Sequence, residues 1–334
     1  MLQINDPVYG AAVITEPVLI EVLQSSAMRR LRGVLQHGIS GLLGITSPIS
    51  RYEHSVGVML LVRRLGGPLV EQIAALLHDV SHTAFSHVID YVFDNHDGQS
   101  YHEEVKEAYL AGSDLPPLLA RYGYDWREFL HDEGFPLLEQ PAPALCADRL
   151  DYGLRDAQDL GLVTAAQAQR ALAHLMVYQG RIVMDDAAVA VWLADTYMAA
   201  DDASWSDFRE VGLYELTAQA IRRGLETGVI SRNDFWTTDA VLWARLNAGT
   251  DPQLQRLLRL VHPQTRFVWD DANPTFRIST KIRTIDPDVW QAGQLRPLSA
   301  LDPAYARRRQ AYLARKSGKW PMRVAAAEQA SSLV

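Results

Sequence analysis

The sequence predicts an all-α fold with a few short antiparallel β-strands in the C-terminal half. Three observations carry that expectation. Apolar residues recur at helical spacing through the first half, as in Val70, Ile73, Ala74 and Leu77. Helix-start signals precede those runs: Ser50 stands three residues before Glu53, as a capping box requires, and Pro68 suits a first turn. Two segments break the helical pattern. His174–Met184 has Gln179-Gly180 between β-branched residues, as a hairpin would, and Thr275–Arg283 alternates apolar and basic residues.

Taken in order, helices are expected over 17–32, 52–65, 68–80, 83–94, 100–111, 115–121, 126–131, 141–159 and 164–173. After the hairpin, further helices are expected over 186–201, 203–227, 231–247 and 251–260. The strand 275–283 is expected to pair with the segment around Arg266–Trp269, and the chain to fray from Ala325. Residues 1–174 form the core in this reading. Residues 175–334 form a mainly helical part with short hairpins, packed on that core.

Composition narrows the function classes. A chain of 334 residues can bury an ample core. No stretch is long and apolar enough to span a membrane, and Met1-Leu-Gln-Ile-Asn-Asp lacks a basic-then-apolar secretory pattern. The single cysteine, Cys146, excludes an internal disulfide and suits a reducing compartment, so a cytoplasmic location is expected. Beside Leu145 and Ala147, Cys146 reads as a small buried hydrophobe rather than a ligand. A net charge of −8 speaks against broad nucleic-acid binding, though not against a small polyanion held by a metal and a few arginines. Basic residues cluster at Arg29, Arg30 and Arg32 and between Arg307 and Arg323; such runs are mostly solvated faces, with an anionic partner site as the alternative for the C-terminal cluster.

The functional signal lies in the histidines. Of ten, seven fall before residue 103, at 37, 54, 78, 82, 87, 96 and 102. His78-Asp79 ends an apolar helical run, and an imidazole beside a carboxylate is half a shell for a divalent metal. His54 near one helix start and Asp148 in a third helix supply the rest of a candidate set: His54, His78, Asp79 and Asp148. Buried helices carrying such groups would bear a cost of several kcal/mol unless the groups coordinated something. On the Asp148 helix, Tyr152, Arg155 or Asp156, and Asp159 recur at three- and four-residue spacing, so one face presents a ligand, a phenol and a carboxylate. His82 lies four residues after His78 and can reach the open side of the metal.

These residues, in order and approximate spacing, resemble the H…HD…D signature of HD-domain metal-dependent phosphohydrolases. Arg51-Tyr-Glu-His-Ser-Val-Gly57, His78-Asp-Val-Ser-His-Thr-Ala-Phe-Ser-His87 and Asp148-Arg-Leu-Asp-Tyr-Gly-Leu-Arg-Asp156 resemble the longer motifs of the deoxynucleoside-triphosphate triphosphohydrolase branch. The resemblance covers roughly residues 20 to 165. It implies an HD-type helical fold and one divalent ion per chain, with iron, manganese, nickel, zinc and magnesium all open. It further implies that Arg51 and Arg149 contact phosphates, that Tyr152 and Asp156 contact a nucleoside sugar, and that Gln36 touches sugar or base. His102 would protonate the leaving oxygen with Glu103 orienting it. An imidazole titrating near neutrality suits acid catalysis, and a neighbouring carboxylate can raise its pKa. His82 would assist the phosphate or water, and His87 would either line the substrate site or hydrogen-bond in the core.

Two departures stand out. Ser81 and Thr83 replace glycine and a small residue in the second motif, which narrows the cleft. The run Ala200-Asp-Asp-Ala-Ser-Trp-Ser-Asp207 places acids where the family offers bases to the phosphate chain, which would repel a triphosphate. The expected function is hydrolysis of deoxynucleoside triphosphates to nucleoside and triphosphate by a homo-oligomer. The alternatives are a nucleoside monophosphate or other phosphate-ester hydrolase, and a nucleotide-binding protein without turnover. An intact His102-Glu103 pair speaks against the last, which needs no leaving-group acid.

Overall fold

The computed structural model describes residues 1–325. The expected fraying from Ala325 onward falls outside them, except that Ala325 itself ends a strand. The fold is mostly helical, with 54% of the chain in helices and 13% in strands, so all-α describes it only loosely. Small sheets also occur in both halves. Leu2–Asp6 and Gly10–Ile14 form an N-terminal antiparallel hairpin that the sequence reading missed.

Three helices build the centre of the first half. Ser50 caps the helix Arg51–Arg64, its Oγ accepting from Glu53 N at 3.2 Å while the Glu53 carboxylate accepts from Ser50 N at 2.8 Å. That helix is buried from Val56 through Val62 and packs against Leu69–Leu77 and Ala147–Asp159. Gly57 allows the third helix to come close: a Cβ there would lie 2.0 Å from Asp151 Oδ1 and Arg155 Nη2. The glycine of the first motif is therefore a clearance for a buried ion pair.

Between His78 and His87 the chain makes a tight turn, and helix resumes only over Val88–Val92, shorter than the expected 83–94. Phe85 and Ser86 both take left-handed backbone angles, φ 64° and 50°, which non-glycine residues adopt only when their surroundings impose them. Those surroundings are tertiary. Asp239 accepts from Phe85 N at 2.7 Å and Leu35 N at 3.0 Å, and Ser86 Oγ donates to Leu35 O at 2.6 Å. Replacing Asp239 with alanine would strand one buried and one part-buried N–H donor. A loss of roughly 2–4 kcal/mol in stability is expected, read by chemical denaturation.

The expected hairpin is present as Leu175–Tyr178 and Arg181–Met184, turning at Gln179-Gly180. Its second strand pairs in parallel with Asp288–Gln291 through Met184 and Val289, and that strand pairs with Gln294–Pro297. The expected direct pairing of 266–269 with 275–283 does not occur. Both Arg266–Trp269 and a shorter Phe276–Ile278 pair with Trp320–Ala325, which lies between them. Residues 279–287 leave the sheet. The basic segment before it forms a helix, Pro303–Lys316, with Asp302 accepting from Ala304 N and Tyr305 N as its cap.

The apolar interior has two clusters. One joins the three central helices with Ala187–Ala200 and residues such as Val289 and Tyr305. The other packs Phe85, Val88 and Tyr91 against the helix Phe208–Glu226 and the three-stranded sheet. The turn that follows the His-Asp doublet thus sits where the two clusters meet.

Candidate metal centre and its cleft

The four residues singled out as ligands converge. His54 Nε2 lies 2.9 Å from Asp148 Oδ1 and 3.2 Å from His78 Nε2. Asp79 closes the group, with Oδ2 3.7 Å from His54 Nε2 and Oδ1 3.5 Å from His78 Nε2. Each imidazole is held by its other nitrogen: His54 Nδ1 donates to Asp151 Oδ2 at 2.8 Å, and His78 Nδ1 to Ala75 O at 2.8 Å. That leaves Nε2 of both rings facing the cluster and able to ligate a metal, the arrangement in which outer partners orient metal-binding histidines.

The electrostatics also fit a cation. Burial opposes ionisation of Asp148, yet hydrogen bonds from His54 and His78 hold it well below the usual carboxylate range. Burial likewise opposes a charged His54, but its bonds to Asp148 and Asp151 push it up to about 10. Two carboxylates and two imidazoles so arranged fit a divalent metal, and the donor types suit several.

Asp151 was not anticipated. It accepts from His54 on one side and from Arg155 Nε at 2.9 Å on the other, and Arg155 reaches Asp6 at 3.0 Å. Its signal was present in the spacing, three residues after Asp148 and four before Arg155. Nothing local separated it from an ordinary helix ion pair.

Beside this cluster opens a cavity of about 400 Å³. Asp79 and Asp148 face it from the metal side, with Arg51, His82, His87 and His102. Arg51 Nη1 donates to Asp79 Oδ2 at 2.7 Å and its Nε to Ser86 Oγ at 3.0 Å, so the turn at Phe85–Ser86 fixes this guanidinium. The His82 and His102 rings stack at 4.0 Å, and His87 stands edge-on to both. Burial first, then the Arg51 charge, pushes His82 down to about 4. Burial likewise depresses His87 and His102. Glu103 does not raise the His102 pKa as expected. Its carboxylate is 3.9 Å from His102 Nε2 and its side chain 67% exposed, so solvent screens it. Ser81, where the family has glycine, donates its Oγ to His102 O at 2.8 Å and ties the start of the His102 helix to the turn.

The wall beside the cluster is aromatic and polar, with the Tyr152 ring 6.3 Å from that of His54. Gln36, Tyr152, Tyr197 and Trp205 line it, and Tyr152 and Tyr197 join through their hydroxyls. Asp156 lies behind this wall rather than on it. Fully buried, it accepts from Trp205 Nε1 at 2.7 Å and Gln36 Nε2 at 3.4 Å, and lies 3.4 Å from His37 Nε2. Arg149 borders the cavity, but its guanidinium is engaged by Glu139 at 3.0 Å and by the carbonyls of Gln140 and Ala144. The expected acidic barrier is absent from the wall. Asp201 accepts from Ser206 and Tyr312, Asp202 pairs with Lys316, and Asp207 caps the helix Phe208–Glu226. Their side chains are occupied elsewhere because the chain coils tightly over 201–205.

The HD domain family profile matches residues 51–152. Over almost the whole chain, the protein is similar to the metal-dependent phosphohydrolase cns2 of Cordyceps militaris. The two are 41% identical over 319 residues, 93% of this chain and 92% of the relative. The chain belongs to the HD-domain metal-dependent phosphohydrolases. A more local match joins it to the deoxynucleoside triphosphate triphosphohydrolase SAMHD1 of Bos taurus, 33% identical over 105 residues, 27% of this chain and 18% of that protein. The crystal structure of a phosphohydrolase from Bacteroides thetaiotaomicron shares the fold, with a TM-score of 0.68 over 96% of this chain and 99% of that one, at 18% identity. No helix among the described residues is long and apolar enough to cross a membrane.

In this HD-domain protein, Asp151 holds His54 from outside the candidate ligand set. Asp151→Ala is expected to weaken divalent-ion affinity roughly 10- to 100-fold, the usual cost of losing such a partner. Competition with a chelator measures it. Unchanged affinity would mean that His54 needs no orienting carboxylate.

Proposed function

We propose that this phosphohydrolase cleaves deoxynucleoside triphosphates to nucleoside and triphosphate. One observation carries the reading. The metal-side carboxylates, three imidazoles and Arg51 share a single cavity with a polar, aromatic wall formed by Gln36, Tyr152, Tyr197 and Trp205. A phosphoryl group suits the first set of residues and a nucleoside the aromatic wall beside it. The local likeness to SAMHD1 supports the same substrate class.

In this reading His54, His78, Asp79 and Asp148 would hold a divalent ion, which when bound would supply Lewis-acid polarisation of a phosphoryl oxygen and a more acidic water. Arg51, His82 and His87 hold the phosphoryl group next to the sugar. Water attacks that phosphorus, the bond from phosphorus to the sugar oxygen breaks, and His102 delivers a proton to the departing oxygen. Water's oxygen stays on the triphosphate and the nucleoside leaves as an alcohol. Tyr152 and Gln36 position the sugar, and Asp156 sets the orientation of Gln36 and Trp205.

The test is a panel of deoxynucleoside and ribonucleoside mono-, di- and triphosphates with identification of the phosphate product. Release of intact triphosphate is expected. Release of orthophosphate alone, or a preference for non-nucleotide esters, would overturn the reading and favour phosphomonoester hydrolysis. Asp156→Ala should raise KM more than it lowers kcat, because the groups it orients bind ground state and transition state alike. A loss confined to kcat would place Asp156 in the chemistry instead.

A further inference from the structure

We infer that Lys281, Arg283 and Arg309 form an anion subsite for the part of a phosphate chain that lies beyond the group being cleaved. The inference rests on the nucleotide reading and deepens it by assigning the distal phosphates to residues outside the matched segment 51–152. Lys281 and Arg283 come from the extended stretch that follows the strand Phe276–Ile278. Arg309 comes from the helix Pro303–Lys316, and all three line the cavity.

Pairing is what separates them from their neighbours. The other guanidiniums of the cavity are neutralised, Arg51 by Asp79 at 2.7 Å and Arg149 by Glu139 at 3.0 Å. On the Arg309 helix, Arg308 pairs with Asp195 at 2.7 Å, Arg315 with Asp202 at 3.2 Å and Lys316 with Asp202 at 2.6 Å. Among the described residues, Lys281, Arg283 and Arg309 have no carboxylate within salt-bridge distance. They meet neutral groups: Lys281 Nζ lies 3.4 Å from Gly98 O, Arg283 donates to Lys281 O at 3.2 Å and to Gln99 Oε1, and Arg309 Nε donates to Thr284 Oγ1 at 3.0 Å. Each keeps donors in reserve.

Three unpaired cations converging on one cleft of a chain with net charge −8 repel one another until an anion joins them. The carboxylates whose charges reach them, Glu103 and Asp148 toward Lys281 and Asp201 toward Arg283, do not come within pairing distance, and Glu103 is 67% exposed. A single phosphoryl group at the metal end already has Arg51 and the three imidazoles. The additional cations therefore fit additional negative groups, as in a nucleoside di- or triphosphate or an inorganic polyphosphate.

The experiment titrates metal-loaded protein with orthophosphate, pyrophosphate and tripolyphosphate, each as its magnesium complex, and follows heat and metal retention. Wild-type affinity should rise with chain length. Lys281→Ala and Arg309→Ala should each weaken tripolyphosphate roughly 10- to 100-fold, the range for a hydrogen bond to a charged group, while orthophosphate changes by less than about threefold. Arg283→Lys, which keeps the charge at a half-buried position, should weaken tripolyphosphate less than Arg283→Met does. Thermal melts confirm folding in each case. Equal losses for all three anions, or none, would overturn the subsite and leave these residues as a strap over the loop at Gly98–Gln99. Residue-dependent tripolyphosphate binding without hydrolysis of any nucleotide would uphold the subsite and sink the nucleotide reading. Nucleotide hydrolysis with unaltered tripolyphosphate binding in the variants would do the reverse.

Discussion

Asp79→Ala is expected to strip the divalent ion from the protein and reduce hydrolysis to background. Asp79 approaches the Nε2 atoms of both His54 and His78, and it also carries the ion pair to Arg51. Its loss removes a ligand and leaves a guanidinium that is 6% exposed facing the same space without its counter-charge. A positive group held at an ion site repels the ion, so the effect on affinity exceeds that of one missing oxygen. Removing one partner of a buried pair costs about 3–5 kcal/mol, so the alanine variant will also be less stable. Asp79→Asn, which keeps the shape and an acceptor for Arg51, separates the two effects. Elemental analysis of both variants, alongside a far-ultraviolet spectrum showing that they fold, decides the matter. Full metal occupancy in a folded Asp79→Ala protein would refute the centre as assigned. Removing the ion from wild-type protein should lower the melting temperature, because metal binds the folded state alone.

What could be read from the sequence was what a few neighbouring residues determine. His54 follows a capping box, His78 and Asp79 end an apolar helix, and Asp148 opens the next segment of acid and arginine. Spacing alone aligned them with a known pattern. The cations at 281, 283 and 309 stand more than a hundred residues from any of these, the first two in a stretch that alternates like a strand but leaves its sheet after Ile278 and the third on the helix Pro303–Lys316. Only packing reveals which way such residues face. The strand Trp320–Ala325 escaped notice because Pro321 sits inside it, and proline ordinarily argues against a strand with neighbours on both sides. The helix expected over 83–94 failed for the converse reason. Local propensity favoured helix, but Asp239, distant in sequence, holds Phe85 in a left-handed conformation. The acids at 201–207 were rightly seen as numerous but wrongly aimed, since their partners Tyr312 and Lys316 lie far along the chain.

His102→Ala is the second large effect, and it separates acid catalysis from metal binding. The ring stacks on His82 at 4.0 Å, its Nδ1 is buried without a hydrogen-bond partner, and it borders the cavity rather than the four-residue cluster. Burial and the neighbouring His82 depress its pKa, disfavouring the charged form. A phosphate dianion beside it reverses that balance by favouring the charged form, and the proton is then available where the leaving oxygen departs. The variant is expected to keep its metal and to lose turnover roughly 10²- to 10⁴-fold, the range for a missing general acid. An aryl phosphate with an acidic phenol needs no proton on its leaving group, so its hydrolysis should suffer much less. His82→Ala should also retain the ion, with a milder loss if it only positions phosphate. The competing arrangement is specific. The ligating atoms of His82, His87 and His102 lie within 4.8 Å of one another, and Asp79 Oδ1 is 3.1 Å from His82 Nε2. Should His102→Ala release an ion, those imidazoles would be the residues that hold a second metal, and a different group must protonate the leaving oxygen. Equal losses for nucleotides and for the activated aryl ester, with metal retained, would instead make His102 a phosphate-binding residue.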